Sequence, residues 1–242
     1  MIYFVVPAFN EEKNIETLIH ETHNFISSLK QEYRLIIVDD GSYDLTAQIV
    51  KDNSRRYSCE VVSYHPNQGV GEAFRQGLKR ALTLASKKDL IVTKEADGTS
   101  DLAILPALIH KIDSGCDVAL ASCYARGGRI EGIRFLRLFL SRSANFLIQI
   151  LFNIHNVHTY SSFYRVYRPS ALHKALARYG DFYDEKGFAC VIELLVRLSK
   201  LGMRIEEVPM VLVSGRRVGK SKMKVWRTTL GYFRVIGRNL FC

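Results

Sequence analysis

The sequence lacks the cysteine pattern of a disulfide-stapled or zinc-thiolate protein. Its 242 residues include only five cysteines, and no two of them form a Cys-x-x-Cys pair. None is spaced with histidine as zinc ligands are. We therefore expect reduced thiols, as in a cytosolic protein. We also expect no signal peptide, because the chain opens on the strand-like run IYFVV. The cysteines are Cys59, Cys116, Cys123, Cys190 and Cys242.

A hydrophobic run long enough to cross a membrane is also lacking. The most apolar segment, residues 133–154, is interrupted by Arg134, Arg137 and Arg142, whereas a spanning helix needs about 20 apolar residues. Read as a helix, the segment has a narrow polar stripe beside a wide apolar arc. Such a helix either packs in the core or lies flat in a membrane interface. The segment alone favours the core.

Acidic residues are too few to balance the basic ones. Lys and Arg number 34 against 24 Asp and Glu, which gives a formal net charge of +10. This excess predicts an anionic partner: a nucleic acid, an anionic membrane surface or a phosphorylated small molecule. With 48% hydrophobic residues, the chain can bury a sizeable core. No repeat, low-complexity tract or linker divides it, so we predict a single domain over residues 1–242.

Strand-like and helix-like patterns alternate in the first half of the chain. The runs IYFVVP, YRLIIVDD, CEVVSY, DLIVTKEAD and CDVALAS are separated by amphipathic helical patterns. This alternation predicts an α/β fold with a mostly parallel sheet flanked by helices. Ligands of such sheets bind at the carboxyl ends of the strands. The loops PAFNEE, DDGS, PNQGVG and EADG follow the first four strands, so we expect them to meet at one edge.

Each of these loops also has an ordinary structural explanation, as a strand end, a turn or a helix cap. PNQGVG matches neither GxGxxG with a partner acid nor GxxxxGK[ST], so it does not indicate a dehydrogenase or a P-loop enzyme. Together the loops offer carboxylates for a base or ribose and glycines that admit a ligand. They also offer an acid-x-acid pair suited to Mg²⁺ or Mn²⁺. The combination favours a nucleotide-phosphate site.

These loops, with TYSSFYRVYR and GMRIEEVPMVLVSGRRVGKSKM further along, resemble the family 2 glycosyltransferases with a GT-A fold. Within that family the sequence looks like the dolichol- or polyprenyl-phosphate mannosyl and glucosyl transferases. The resemblance runs in order from residue 2 to residue 223. It implies an inverting transfer of a hexose from a GDP- or UDP-sugar to a polyprenyl phosphate. Residues 1–100 would form the nucleotide-sugar half, and residues 101–242 the acceptor half.

The resemblance implies roles for the first two loops. Pro7, Phe9 and Glu11 would line the nucleotide pocket. Asp39 and Asp40 would hold the base and the ribose.

It also implies a metal site in EADG. Asp97 would bind the Mg²⁺ or Mn²⁺ that bridges the donor diphosphate, with Glu95 and Ala96 beside it. Thr99 lies where lipid-phosphate members often have a metal-contacting Gln. Glu95 stands where Asp is more usual, so one of the two carboxylates is carried by a longer side chain.

The resemblance also implies cations that bind the phosphate groups of donor and acceptor. Arg216 and Lys222 would neutralise it from a basic loop, and Arg142 matches the arginine that grips the acceptor phosphate. Cys123 stands where many relatives have an arginine, so one phosphate-binding cation is missing unless Arg126 or Arg129 replaces it.

The C-terminal stretch has apolar residues at helical spacing, surrounded by Lys and Arg. The apolar residues are Trp226, Leu230, Phe233 and Leu240. Such a helix either packs on the domain or lies in a membrane interface. With a lipid acceptor expected, we predict peripheral association with the cytoplasmic face of a membrane.

Two other functions remain open at this point. A glycosyltransferase with a hydroxyl acceptor would need a general base, and Glu193 is the candidate, although its helix also suits a structural carboxylate. A non-catalytic sugar-nucleotide binder would fit the altered metal motif. We do not expect a nucleic-acid partner, because the cations cluster with apolar helices and form no recognisable module. The sequence gives no prediction of the oligomeric state.

Overall fold

The computed structural model describes residues 1–132, 135–216, 223 and 225–240. Short 3₁₀ turns lie at Leu102–Ile104 and Ser214–Arg216. The helices and strands in chain order are β1 (Ile2–Ala8), α1 (Ile15–Ser28), β2 (Tyr33–Asp39), α2 (Thr46–Asn53), β3 (Cys59–Ser63), α3 (Val70–Leu84), β4 (Leu90–Thr93), α4 (Leu105–Asp113), β5 (Val118–Ser122), β6 (Arg129–Glu131), α5 (Phe135–Phe152), β7 (Arg165–Tyr167), α6 (Pro169–Tyr179), α7 (Cys190–Lys200), β8 (Ile205–Pro209), β9 (Val211–Val213) and α8 (Val225–Leu240).

A seven-stranded sheet organises the chain, in the order β3-β2-β1-β4-β7-β5-β8. Its strands are parallel except β7, which runs antiparallel to both β4 and β5. The predicted α/β fold with a mostly parallel sheet is confirmed. Strand β4 ends at Thr93, so the acidic residues of EADG lie in the loop after the fourth strand, as predicted. A separate parallel pair joins β6 to β9.

The two faces of the sheet bury separate sets of apolar side chains, because successive residues of a strand point to opposite faces. Val5 and Val38 pack against α3 on one face, and Phe4 and Ile37 pack with α1 on the other. Helix α3 lies so close to the sheet that a Cβ at Gly77 would come within 2.3 Å of the Val5 side chain. Burial on both faces explains why β1 and β2 read as continuous apolar runs.

Helices α5 and α8 each have a buried side and an exposed apolar side. In α5, Ile148 is in the core whereas Phe146 and Ile150 are exposed. In α8, Val235 is in the core whereas Phe233 is exposed. The sequence left core packing and a membrane interface as alternatives for residues 133–154; in the described part of that segment one side is buried in the core, and the interface stays a prediction. Among the described helices, none combines the length and the apolar character needed to cross a bilayer.

Ion pairs at the edge strand β8 make the free energy of unfolding depend on pH in the acidic range. Lys111 and Arg204 donate hydrogen bonds to the carboxylate of Glu206 and lower its pKa from 4.5 to about 2. Since the folded-state pKa is depressed, this stabilisation is present above pH 4.5 and is lost as pH falls toward 2. We expect the free energy of unfolding of Glu206→Gln to lie below that of the wild type at about pH 6, with the gap narrowing at about pH 3. Urea titrations of both proteins measure this; a gap that widens on acidification would contradict it.

Candidate functional site

The loops after β1 and β2 meet at the carboxyl edge of the sheet, as predicted. The parallel register places Ala8 beside Asp39, so the two strands end level. The Asn10 amide donates to Ser42 Oγ at 2.8 Å, and the Tyr43 amide donates back to Asn10 Oδ1 at 2.9 Å. The backbone groups that the strands leave at this edge are thus satisfied by side chains of the neighbouring loop.

The two aspartates of DDGS have different environments. Asp39 Oδ1 accepts the Ser42 amide at 3.0 Å and closes the turn. The Asp40 carboxylate accepts the amides of Gln68 and Gly69 at 2.8 and 2.9 Å, and the Asn67 side chain at 2.9 Å. Burial raises the pKa of Asp40, and these hydrogen bonds act against the rise. Asp40 therefore holds the glycine loop in place, and contact of both aspartates with a donor stays a prediction.

The glycines of PNQGVG are required by the protein's own backbone. A Cβ at Gly71 would lie 2.6 Å from the Glu185 carbonyl oxygen, and one at Gly69 would lie 2.8 Å from that of Lys186. Gly69 also has φ +99°, which favours glycine. The Gly71 amide donates to the Lys186 carbonyl at 2.9 Å. The sequence suggested that these glycines admit a ligand; the structure puts the segment between α6 and α7 against them.

Aromatic side chains flank the first loop. Phe9 meets Tyr43 edge-on with ring centroids 6.2 Å apart, and Tyr43 is 81% exposed. Glu11 accepts the side-chain amide of Asn14 at 2.6 Å, and Pro7 is partly buried in β1. Tyr43 was missed in the sequence, where the only signal is an aromatic residue directly after DDGS. An exposed ring at this edge suits stacking on a nucleobase.

The acidic loop after β4 has two carboxylates oriented by hydroxyls. The Thr99 hydroxyl and amide donate to Asp97 Oδ1 at 2.6 and 3.1 Å. The Ser100 hydroxyl donates to Glu95 Oε2 at 3.3 Å. Burial, followed by the charge of Asp97, raises the pKa of Glu95 to about 7. Ala96, between them, is buried. The charge of Asp97 thus disfavours ionisation of Glu95.

This donor set fits Mg²⁺ or Mn²⁺. Both ions take hard oxygen ligands, and Mg²⁺ is typically held by one or two carboxylates together with substrate phosphates. A divalent cation would offset the repulsion between Glu95 and Asp97. Within the described part of the chain, no third His, Cys, Asp or Glu completes a metal-binding group. The Thr99 hydroxyl already orients Asp97, so its direct contact with a metal stays a prediction.

A buried lysine beneath the acidic loop was also missed. Lys94 is 3% exposed, and burial lowers its pKa against the opposing effect of Glu95 and Asp97. The signal in the sequence is a cation at the end of an apolar strand run. A positive charge there moderates the repulsion between the two acids.

Described residues at the start of the C-terminal basic segment lie near the acidic loop. The Val213 amide donates to the Thr99 carbonyl at 3.3 Å. Arg216 follows directly and lies 3.5 Å from Asp101, with both side chains about half exposed. An exposed pair of this kind holds its partners weakly, so Arg216 can turn to a stronger anion. Lys222 lies outside the described residues.

Arg142 is exposed on α5, with its guanidinium 5.9 Å from the ring centroid of Tyr124. Of the two arginines considered as replacements for the one absent at Cys123, Arg129 pairs with Glu131 at 2.7 Å, whereas Arg126 is exposed. Burial raises the pKa of the Cys123 thiol to about 11, so this residue contributes no charge at neutral pH.

Glu193 has the environment of a structural carboxylate. It is fully buried, accepts the amides of Asp184 and Glu185 at 3.1 and 2.9 Å, and lies 3.0 Å from Arg197. A general base must reach the proton that it removes. A carboxylate enclosed by its own loop and an arginine has no such access.

Known proteins resemble this chain in sequence and in structure. The family described as "Glycosyl transferase family 2" matches residues 3–176. The chain is 28% identical over 221 residues to a polyprenol monophosphomannose synthase of Mycolicibacterium smegmatis, covering 90% of this chain and 79% of that protein. It is 30% identical over 236 residues to a dolichol-phosphate mannosyltransferase of Pyrococcus furiosus, covering 97% of this chain and 62% of the relative's length.

A solved structure shares the fold. Glucosyl-3-phosphoglycerate synthase from Mycobacterium tuberculosis, in complex with Mn²⁺, UDP and glucosyl-3-phosphoglycerate, superposes with a TM-score of 0.66 at 22% identity. The match covers 98% of this chain and 77% of that one. At this identity the likeness shows the fold alone, and it confirms the predicted GT-A architecture. The family match over most of the chain and the shared fold lead to one conclusion: the chain belongs to glycosyl transferase family 2.

Proposed function

We propose that the chain transfers a hexose, mannose or glucose, from a GDP- or UDP-sugar to a polyprenyl phosphate at a membrane surface, with inversion at the anomeric carbon. The observation that supports donor binding is the acidic loop after β4, which carries Glu95 and Asp97 and has Arg216 3.5 Å from its Asp101. The names of the two relatives, a polyprenol and a dolichol-phosphate mannose transferase, support the acceptor half.

On the donor side of the proposed reaction, the chain supplies charged side chains that are held in position before the donor binds. Glu95 and Asp97 would hold Mg²⁺ or Mn²⁺, an assignment also supported by the Mn²⁺ and UDP in the related synthase. When bound, the metal supplies positive charge for the leaving diphosphate. Thr99 fixes the Asp97 carboxylate before the donor arrives, and Arg216, 3.5 Å from Asp101, would add positive charge at the same loop. Charges that are in place beforehand need no reorganisation during the reaction.

On the acceptor side of the proposed reaction, the nucleophile is a phosphate oxygen, which is already an anion. A phosphate monoester is ionised at neutral pH, so positioning can supply most of the catalysis and no general base is needed. Arg142 would hold this phosphate. The buried network around Glu193 disfavours the alternative with a hydroxyl acceptor.

The acceptor class is tested by offering polyprenyl phosphate and the matching polyprenol in the same detergent with a GDP- or UDP-hexose. We expect sugar transfer to the phosphate alone. Transfer to the polyprenol at a comparable rate would contradict the proposal, since the chain shows no base at Glu193 able to activate a hydroxyl.

A surface on α5 and α8, here called the apolar face, would bring the enzyme to its lipid. Its large side chains are between 40 and 74% exposed, and a groove of about 220 Å³ runs between the two helices. An exposed patch of this kind marks an interaction site. Not every nearby cation is available to lipid headgroups, because Arg234 makes a two-point ion pair with Glu185. The face consists of Phe146, Leu147, Ile150, Trp226, Leu230, Phe233 and Leu240.

Charged substitutions on the apolar face should weaken membrane binding. Burying one such side chain contributes ~1.5–3 kcal/mol, and ~1.4 kcal/mol corresponds to a tenfold change in affinity. We expect the double variant Trp226→Asp/Phe233→Asp to bind anionic vesicles at least about tenfold more weakly in sedimentation. The matched control is Leu45→Asp, because Leu45 is 62% exposed and lies in the first half of the sequence, outside α5 and α8. Equal binding by the double variant and the wild type would exclude this face.

A further inference from the structure

A buried pair of hydroxyls fixes the loop that follows β5. Ser122 Oγ and Thr159 Oγ1 lie 2.7 Å apart, and both residues are almost wholly buried. The Tyr124 amide donates to Thr159 Oγ1 at 3.2 Å, and the Ala125 amide donates to Ser122 Oγ at 3.0 Å. The backbone at Tyr124 is therefore held by side chains from two different segments of the chain.

Thr159 is itself anchored to the central sheet. The amides of His158 and Thr159 both donate to Glu207 Oε1 at 2.7 Å, and His158 Nδ1 lies 2.9 Å from Glu207 Oε2. The Glu207 side chain on β8 is only 4% exposed. A buried carboxylate with both oxygens engaged is a rigid support. The position of Tyr124 is thus determined by the sheet.

Tyr124 reaches across to α5 with both parts of its side chain. Its hydroxyl donates to Ser141 Oγ at 2.8 Å, and its ring lies 5.9 Å from the guanidinium carbon of Arg142. Burial raises the pKa of Tyr124, so the hydroxyl remains a neutral donor. Among the described residues, no carboxylate lies within 4.0 Å of Arg142. An arginine held over a ring keeps its full charge for an anion, whereas an arginine paired with an acid does not.

We propose that Tyr124 and Thr159 are positioning residues that hold the Arg142 guanidinium ready for the acceptor phosphate. Glu207 holds Thr159 through hydrogen bonds, and Thr159 accepts the backbone amide of Tyr124. The Tyr124 ring in turn contacts the Arg142 guanidinium. This inference rests on the proposed acceptor role of Arg142. A guanidinium on a fixed platform loses less side-chain freedom when it binds, so the platform increases affinity for the anion.

The inference is tested by measuring acceptor and donor binding separately in each variant. We expect Tyr124→Leu to raise KM for polyprenyl phosphate, and Kd for farnesyl phosphate in detergent, by about tenfold. Tyr124→Phe keeps the ring and should raise both by only about threefold. Thr159→Val should resemble Tyr124→Leu, and Thr159→Ser should restore acceptor binding. The Kd for the donor nucleotide and the kcat at saturating acceptor should stay unchanged in all four variants.

Variants at Arg142 separate this inference from the proposed function. Arg142→Ala should raise the acceptor Kd further, by about 100-fold, and in that background Tyr124→Leu should have no added effect. If Arg142→Ala weakens acceptor binding but Tyr124→Leu does not, the positioning role is wrong while the proposed function stands. If Arg142→Ala changes nothing, the acceptor site and the positioning role both fail. If Thr159→Val does not fold, the comparison of Tyr124→Leu with Tyr124→Phe decides. Equal losses of donor and acceptor binding would indicate a merely structural role.

Discussion

Asp97→Asn is expected to abolish sugar transfer, lowering kcat by about 10³-fold, because one fixed electrostatic contact to a developing charge is worth a factor of this size. The substitution keeps the shape of the side chain and leaves an oxygen able to accept the Thr99 hydroxyl. It removes the negative charge that would hold Mg²⁺ or Mn²⁺ beside Glu95. It should also lower the pKa of Glu95, since the charge of Asp97 contributes to raising that pKa.

A control shows whether the loss arises from the site or from the fold. Asp113→Asn removes a carboxylate from the exposed end of α4 and should leave kcat within about twofold, as a surface substitution normally does. Thermal unfolding and donor-free circular dichroism of Asp97→Asn should match the wild type. Full transfer activity in a well-folded Asp97→Asn protein would contradict the proposed metal site.

Glu193→Ala is expected to lower the free energy of unfolding by about 3–5 kcal/mol, the range for removing one partner of a buried ion pair. The change removes the buried partner at 3.0 Å from the Arg197 side chain, which is 8% exposed and keeps only Asp184 as a carboxylate partner. It also leaves the amides of Asp184 and Glu185 without their acceptor. Since domains are stable by only about 5–15 kcal/mol, the loss is a large part of the total.

Glu193→Gln separates the structural role from the alternative catalytic one. The amide oxygen can still accept the two backbone amides, so we expect a smaller loss, about 1–3 kcal/mol. Transfer by the folded Glu193→Gln protein should stay within about threefold of the wild type, whereas loss of a general base costs about 10²–10⁴-fold. Urea titration and initial rates on the same preparation give both numbers. A stable Glu193→Gln protein without activity would restore the hydroxyl-acceptor alternative.

The parallel core and its active edge could be predicted from the sequence because both follow from local patterns. Strands buried on both faces read as continuous apolar runs, as β1 and β2 do. Parallel strands end at one edge, so the loops after them had to meet there. The acid-x-acid pair in the loop EADG then indicated Glu95 and Asp97 as candidate metal ligands. The antiparallel insertion of β7 could not be predicted, because its three residues within TYSSFYRVYR are too few to show a period.

The partners of individual side chains could not be predicted, because they come from residues far apart in the chain. Contact of Asp40 with a donor stays a prediction, but its hydrogen bonds to the glycine loop could not be foreseen. Arg234 is one of the basic residues around the apolar side chains of the C-terminal stretch, and it pairs with Glu185. The platform of Tyr124 beneath Arg142 depends on Glu207, which lies in the stretch GMRIEEVPMVLV but was given no role from the sequence. The sequence shows which side chains could bind a ligand, whereas packing decides which of them already pair with other residues of the protein.

Metal-dependent transfer to a lipid phosphate tests the central claim most directly. Purified protein in detergent is given polyprenyl phosphate and each of a panel of GDP- and UDP-hexoses, with Mn²⁺ or with EDTA. We expect one donor to yield a polyprenyl-phosphate hexose with Mn²⁺ and no product with EDTA. Nucleotide-sugar binding without transfer from any donor, in protein that is folded and supplied with Mn²⁺, would contradict the proposed function and favour a non-catalytic sugar-nucleotide binder.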